Sequence, residues 1–118
     1  MMRPGEEIEV YLYREVVDMR KAINGLSSIV EQEIGVSPFG PQLFVFCNRQ
    51  RDKIKILYWE RSGFVLWYKR LEKHRFPWPE EGSDAVVSMT GRELNWLLDG
   101  IDWFRLKPHA SLCYESVL

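Results

Sequence analysis

The chain has 118 residues and a formal net charge of −1, with 46% hydrophobic and 28% charged residues. That length fits one domain with its own core, and the composition is that of a globular protein, which excludes intrinsic disorder. No apolar run approaches the ~20 residues that span a membrane. The two cysteines, Cys47 and Cys113, form no CxxC pair, so we expect a cytoplasmic protein with reduced thiols.

The first third of the chain predicts a strand followed by a helix. Residues 8–13 alternate apolar and polar side chains, which is typical of a strand, and apolar residues then recur at helical spacing from Met19 to Ile34. Asp18 is placed to cap this helix, and Gly35 to end it in a left-handed conformation.

The middle of the chain predicts three sequential strands, at residues 43–47, 53–59 and 64–71. Short links join them, and this favours an antiparallel meander. Gly63 is predicted to supply the positive φ of the hairpin turn before the third of these strands. A further short strand is predicted at residues 85–88.

The last third predicts a second helix, which begins at a capping box made by Thr90 and Glu93 and ends at Gly100. Its predicted buried stripe is Leu94, Leu97, Leu98 and Ile101. Together the elements predict an α+β fold in which residues 1–106 form a single domain. In that fold an antiparallel β-meander of four to five strands carries two principal α-helices on one face. Residues 107–118 show no periodicity and are predicted to be a flexible tail.

Positive charge is concentrated in the middle of the chain. Residues 48–75 hold nine basic and three acidic side chains, whereas the remainder holds seven basic and fourteen acidic ones. Such asymmetry suggests an anionic partner for one face of the domain. The alternative is a solvated face whose cations pair with carboxylates of the helices. The candidate nucleic-acid-binding residues are Arg49, Arg51, Lys53, Lys55, Lys69, Arg70, Lys73 and Arg75.

The same stretch is rich in aromatic residues, which stack on exposed bases but also pack well across a sheet. Trp67 and Trp78 are the candidates for stacking, and core packing is the alternative for both.

The sequence offers no catalytic constellation. It has no glycine-rich phosphate loop and no nucleophile elbow, and neither His74 nor His109 has a second ligand at metal-site spacing. Carboxylates such as Asp52 and Glu72 have simpler roles in turns or beside cations. We therefore expect no cofactor and no metal, and a binding module is favoured over an enzyme. A small metal-dependent nuclease is a third option, which activity lost on Asp52→Ala would support.

Several short motifs, in a fixed order, resemble a known family. They are Asp18-Met19-Arg20-Lys21, Leu43-Phe44-Val45-Phe46, Asn48-Arg49, Asp52-Lys53-Ile54-Lys55, Tyr68-Lys69-Arg70-Leu71-Glu72, Trp78-Pro79 and Gly100-Ile101-Asp102-Trp103. This series, from about residue 11 to residue 103, resembles the small TnpB-type accessory protein of the insertion sequences numbered sixty-six in the bacterial transposon catalogue. That protein is encoded by the second open reading frame of the element.

The resemblance implies an accessory role in transposition of a bacterial mobile element, beside a separate and larger transposase that carries the catalytic carboxylates. No catalytic residue is carried over, because the family defines none. Two mechanisms stay open. In the first, the basic central hairpin binds DNA at the transposon ends. In the second, the chain is an adaptor that docks the transposase through its basic sheet face or through Arg20 and Lys21.

Overall fold

The computed structural model describes residues 3–105, so the predicted tail at 107–118 lies outside the described residues. The strands are β1 (Glu9–Val16), β2 (Leu43–Cys47), β3 (Lys53–Glu60), β4 (Gly63–Arg70) and β5 (Val86–Thr90). The helices are α1 (Ile23–Ile29), which continues as a π-helical segment at Val30–Ile34, α2 (Gly91–Leu98) and a short 3-10 turn, α3 (Trp103–Arg105). The predicted α+β class is confirmed. Within the described residues, no helix is long and apolar enough to cross a membrane.

The five strands form one mixed sheet in the order β4-β3-β2-β1-β5. The predicted meander is present as β2-β3-β4, whose two pairings are antiparallel, and β5 also runs antiparallel to β1. The β1–β2 pair is parallel, with Val10 opposite Leu43. The physical reason is the connection, because a strand, a crossover helix and a second strand bring the two strands side by side in the same direction.

The two principal helices lie on opposite faces of the sheet, so the expectation that both pack on one face is wrong. Leu26 and Val30 of the first helical segment pack with Phe44, Phe46 and Leu57. We call this side the α1 face. Leu94, Leu97 and Leu98 of α2 pack on the other side, the α2 face, in a separate core cluster. A sheet with both faces covered explains why every residue of β2 is buried.

Local signals at helix ends are partly confirmed. Thr90 and Glu93 form the predicted capping box, and Gly35 and Gly100 have the predicted positive φ, +82° and +87°. Asp18 does not cap α1, whose N-cap is Ala22. Asp18 instead accepts a hydrogen bond from the backbone N–H of Arg20 at 2.8 Å, as in an Asx turn.

Two further expectations are wrong. The positive φ of the β3–β4 turn lies at Arg61 (+54°), not at Gly63. Ile101, the predicted fourth member of the α2 stripe, is exposed because the chain turns at Gly100 before reaching it.

Candidate nucleic-acid interface

Three chain segments meet at one end of the sheet because β1 and β2 are parallel. The segment after β1 lies beside the β2–β3 turn, where Val17 N–H donates to the carbonyl of Cys47 at 2.9 Å. The segment after β4 joins the same turn, where Leu71 N–H donates to Asp52 at 2.8 Å and Phe76 N–H donates to Arg51 at 2.7 Å. We call residues 18–22, 48–53 and 70–76 the basic end. It holds eight lysines and arginines against three carboxylates.

Asn48 organises the β2–β3 turn and is buried. Its side-chain oxygen accepts from the backbone N–H groups of Asp52 (3.2 Å) and Lys53 (3.1 Å), while its amide donates to the Asp52 carboxylate at 2.7 Å. These bonds hold the turn that carries Arg49 and Arg51. Hydrogen bonding to Asn48, followed by that to Lys53, lowers the pKa of Asp52.

Three of the predicted cations at the basic end have carboxylate partners nearby. Lys53 lies 3.4 Å from Asp52. Arg70 lies 2.8 Å from Glu72, which raises the pKa of the guanidinium. Arg51 lies 3.1 Å from Glu80. The partners are neighbours in turns and loops, not the acids of the helices that sequence analysis considered.

The predicted cations inside the strands face both sides of the sheet. Lys53, Lys55 and Arg70 lie on the α1 face, where Lys53 is directly opposite Arg70. The Nζ of Lys55 donates to the carbonyls of Met19 (2.7 Å) and Lys21 (2.8 Å), and so fastens the segment after β1 to the sheet. Lys69 lies on the α2 face and approaches the carbonyl of Leu98 at 3.4 Å. The strand cations therefore do not form one continuous surface.

Arg49, Lys73 and Arg75 are exposed, and so is Lys21. Within residues 3–105, no ion pair or side-chain hydrogen bond involves any of these four side chains. They come from all three segments of the basic end. These four, which we call the free cations, are the charges available to an external anion.

Arg20, a predicted partner contact, is paired with Asp18 at 2.6 Å and remains 91% exposed. Hydrogen bonds from Arg20 lower the pKa of Asp18 to about 2. Arg20 therefore brings no net charge to the basic end, whereas Lys21 does.

The two tryptophans predicted to stack on bases belong to the α2-face core. Trp78 is buried, its Nε1 donates to the carbonyl of Arg14 at 3.1 Å, and the Arg51 guanidinium lies 5.1 Å above its ring. Trp67 packs against the same cluster from β4. Neither ring belongs to the basic end, so we leave both out of the proposed interface.

Two residues of this region have roles that sequence analysis did not assign. Asn48 appears in the motif series, but nothing local marks it as buried. Arg14 had a signal, because it follows Val10 and Leu12 at the spacing of the buried face of β1, where an apolar side chain is expected.

In the described part of the chain, no three histidine, cysteine, aspartate or glutamate residues are placed to hold a metal ion. Cys47 is buried, and burial raises the pKa of its thiol to about 11. What the basic end offers is exposed positive charge on a fixed backbone.

Comparisons with known proteins agree with the motif series. Two proteins of Sinorhizobium fredii are similar to this chain, and both are described as uncharacterized. Protein y4jC is 31% identical over 107 residues, which cover 91% of either chain. Protein y4hO is 31% identical over 103 residues, which cover 87% of this chain and 89% of that one. No solved structure matches. The model of the family described as "IS66 Orf2 like protein" matches residues 8–108, and the chain belongs to this family of transposition accessory proteins.

Proposed function

We propose that the protein serves transposition by binding nucleic acid at the basic end, and that it acts by binding rather than by catalysis. The observation that carries the proposal is the convergence of the four free cations, Lys21, Arg49, Lys73 and Arg75, from three chain segments. The parallel β1–β2 pair and the Lys55 contacts hold these segments together.

The geometry suits phosphate contacts better than base readout. Lysine and arginine side chains on turns neutralise backbone phosphates, which positions a protein on nucleic acid but carries little sequence information. None of the four free cations lies on a helix that could enter a groove, and α2 lies on the other face and begins at the far end of the sheet. We therefore expect binding with weak sequence preference and a strong dependence on salt.

The test is a titration of the full chain against a labelled duplex with the transposon-end sequence, read by fluorescence anisotropy between 50 and 200 mM salt. Four phosphate contacts predict a log–log salt slope of about −3.6, which is roughly a 150-fold loss of affinity over that range. Replacing Arg49, Lys73 and Arg75 together by glutamate should flatten the slope to about −0.9 or abolish binding. A shuffled duplex should bind nearly as well as the transposon-end duplex.

The matched control is Arg61→Glu. Arg49 and Arg61 are exposed and lie in the turns at opposite ends of β3, so the two single reversals change the net charge equally. Arg49→Glu should weaken binding at least several-fold more than Arg61→Glu, while both variants keep the wild-type melting temperature. Equal effects of the two variants would mean that total charge drives the association, and the assignment to the basic end would be lost.

Absence of binding at micromolar protein and low salt would contradict the proposal outright. The basic end would then be a surface for an acidic protein, and purified transposase of the same element would be the partner to test. A complex with transposase that survives nuclease treatment and is lost on reversal of the free cations would identify that outcome.

A further inference from the structure

A pocket of about 1040 Å³ opens on the α2 face, between the end of β1, β5, the segment after β4 and α3. Its wall is largely aromatic and aliphatic, and is made by Phe76, Trp78, Val87, Trp103 and Phe104. The volume lies at the upper end of the range of ligand sites and is large enough for a short peptide segment. The basic end borders the pocket, since Arg51 lies over Trp78, but the free cations do not line it.

Arg14 brings a charge into this apolar surface. Its place in β1, in phase with Val10 and Leu12, directs the side chain to the α2 face, where it lines the pocket. The Nε and Nη1 atoms are buried and have no hydrogen-bond partner in the described structure. Gly82 lies against the guanidinium so closely that a Cβ at this position would collide with it. The backbone thus packs against the charged group without giving it an acceptor.

Two buried N–H donors without acceptors cost free energy, because burial removes them from solvent and no protein hydrogen bond takes its place. An oxyanion placed in the pocket would attract the half-buried guanidinium, and a small rotation of that side chain toward the pocket would give its donors charge-assisted hydrogen bonds.

The charges at the rim limit which oxyanion fits. Glu80, Glu81 and Asp102 also line the pocket, and Arg105, which pairs with Asp102 at 2.9 Å, is the second cation there. Successive phosphates of a nucleic acid would bring one negative charge to Arg14 and the next ones against these carboxylates. A single carboxylate between apolar side chains avoids that repulsion and also covers the aromatic wall.

We propose that the Arg14 pocket binds a segment of a partner protein in which one carboxylate is flanked by apolar residues. The carboxylate accepts from the Arg14 guanidinium, and its apolar neighbours pack on Trp78, Trp103 and Phe104. None of the free cations lines this site, and the proposal does not depend on nucleic-acid binding. The protein would then have two contact surfaces, one for an anionic backbone and one for an acidic–apolar peptide.

The test uses two capped tripeptides, acetyl-Leu-Glu-Leu-amide and its glutamine analogue, titrated into the full-length protein labelled with ¹⁵N. The Nε–Hε signal of Arg14, assigned by its loss in Arg14→Met, should shift with the glutamate peptide. The glutamine peptide should bind at least tenfold more weakly, and Arg14→Met should remove that difference. Equal binding of the two peptides to the wild type would overturn the proposal. So would a shift of this signal by a ten-residue oligothymidylate but not by the glutamate peptide.

Stability separates a ligand-binding arginine from a structural one. If the guanidinium has no partner in the free protein, Arg14→Met removes a half-buried charge whose Nε and Nη1 lack acceptors, and its melting temperature should equal or exceed that of the wild type. A clear decrease would show that Arg14 supports the fold and would overturn the proposal. Arg92→Gln is the matched control away from the pocket, because this side chain is 55% exposed and already paired with Glu6. It should keep most of the preference for the glutamate peptide.

Discussion

Trp78 lies between two arginines that differ in almost every contact. On one side, Arg51 donates to Glu80 at 3.1 Å and to the carbonyl of Asn48 at 3.2 Å, with its guanidinium over the indole ring. On the other side, Arg14 accepts the indole N–H at its carbonyl, while its own Nε and Nη1 are buried without acceptors. Arg51 therefore has acceptors for its donors, whereas two donors of Arg14 have none. The comparison shows that burial and partners, rather than residue type, decide what a charge does in this protein.

The same rule applies at the basic end. Its ion pairs, such as Asp18–Arg20 and Arg70–Glu72, join exposed side chains, and pairs of this kind contribute little to stability. Among residues 3–105, the free cations form no ion pair. Folding alone therefore does not account for the positive charge gathered there, and this supports a role in binding an external partner.

Asn48→Ala is expected to cause the largest loss of stability, because the Asn48 side chain holds the turn that carries Arg51. The substitution leaves the N–H groups of Asp52 and Lys53 without their acceptor in a partly buried turn. We expect a loss of about 2 kcal/mol in the free energy of unfolding, measured by urea denaturation. Arg51 should lose its fixed position at the same time, which would weaken its contact with Trp78.

Gln50→Ala is the control for that substitution, since Gln50 is exposed and its side chain only accepts from the Asn48 amide at 3.2 Å. It should change the free energy of unfolding much less than Asn48→Ala. Similar losses for the two variants would show that the turn is not organised by Asn48.

Arg51→Met is expected to lower the stability of the fold by a smaller amount. It removes the contact with the Trp78 ring and the bond to Glu80, and should lower the free energy of unfolding by about 1 kcal/mol. The equivalent substitution at Arg14 should not lower it. Chemical denaturation of Arg51→Met and Arg14→Met under the same conditions measures this difference directly. Equal losses of stability at both positions would show that the two arginines do not differ in this way.

Local patterns in the sequence were sufficient to find the elements but not to assemble them. The capping box at Thr90 and Glu93 and the left-handed glycines depend on neighbours along the chain, and these predictions are confirmed. The parallel β1–β2 pair depends on where a crossover helix returns the chain, and alternation within a strand does not report direction. The error concerned the β1–β2 pairing, which brings the segment after β1 to the other two segments of the basic end.

The candidate site divides in the same way. Counting charges between residues 48 and 75 located the cations, but which of them are neutralised depends on turn geometry. Asp52 and Glu72 neutralise the charges of Lys53 and Arg70, which lie within two residues of them in the sequence. Arg49 and Lys73 are exposed and form no ion pair within the described residues. Arg14 lies outside residues 48–75, and the only signal for it in the sequence is its place on the buried face of β1, in line with Val10 and Leu12.

The Asp18–Arg20 pair is expected to contribute the least to stability, and its contribution can be measured through its dependence on pH. Because hydrogen bonds from Arg20 hold the pKa of Asp18 near 2, below its ordinary value near 4, the folded protein binds the proton less readily than the unfolded chain. The stability that this pair adds is therefore present above about pH 4 and is lost as the pH falls toward 2.

Asp18→Asn isolates that contribution, because the amide oxygen can still accept from the N–H of Arg20. Urea midpoints of wild type and variant should differ slightly at pH 6, with the wild type the more stable, and the difference should be clearly smaller at pH 2.5. The difference at pH 6 should be smaller than the one caused by Arg51→Met, since an exposed pair is screened by solvent and a half-buried guanidinium over an indole is not. A gap that persists unchanged at pH 2.5 would assign the role of Asp18 to backbone geometry rather than to its charge.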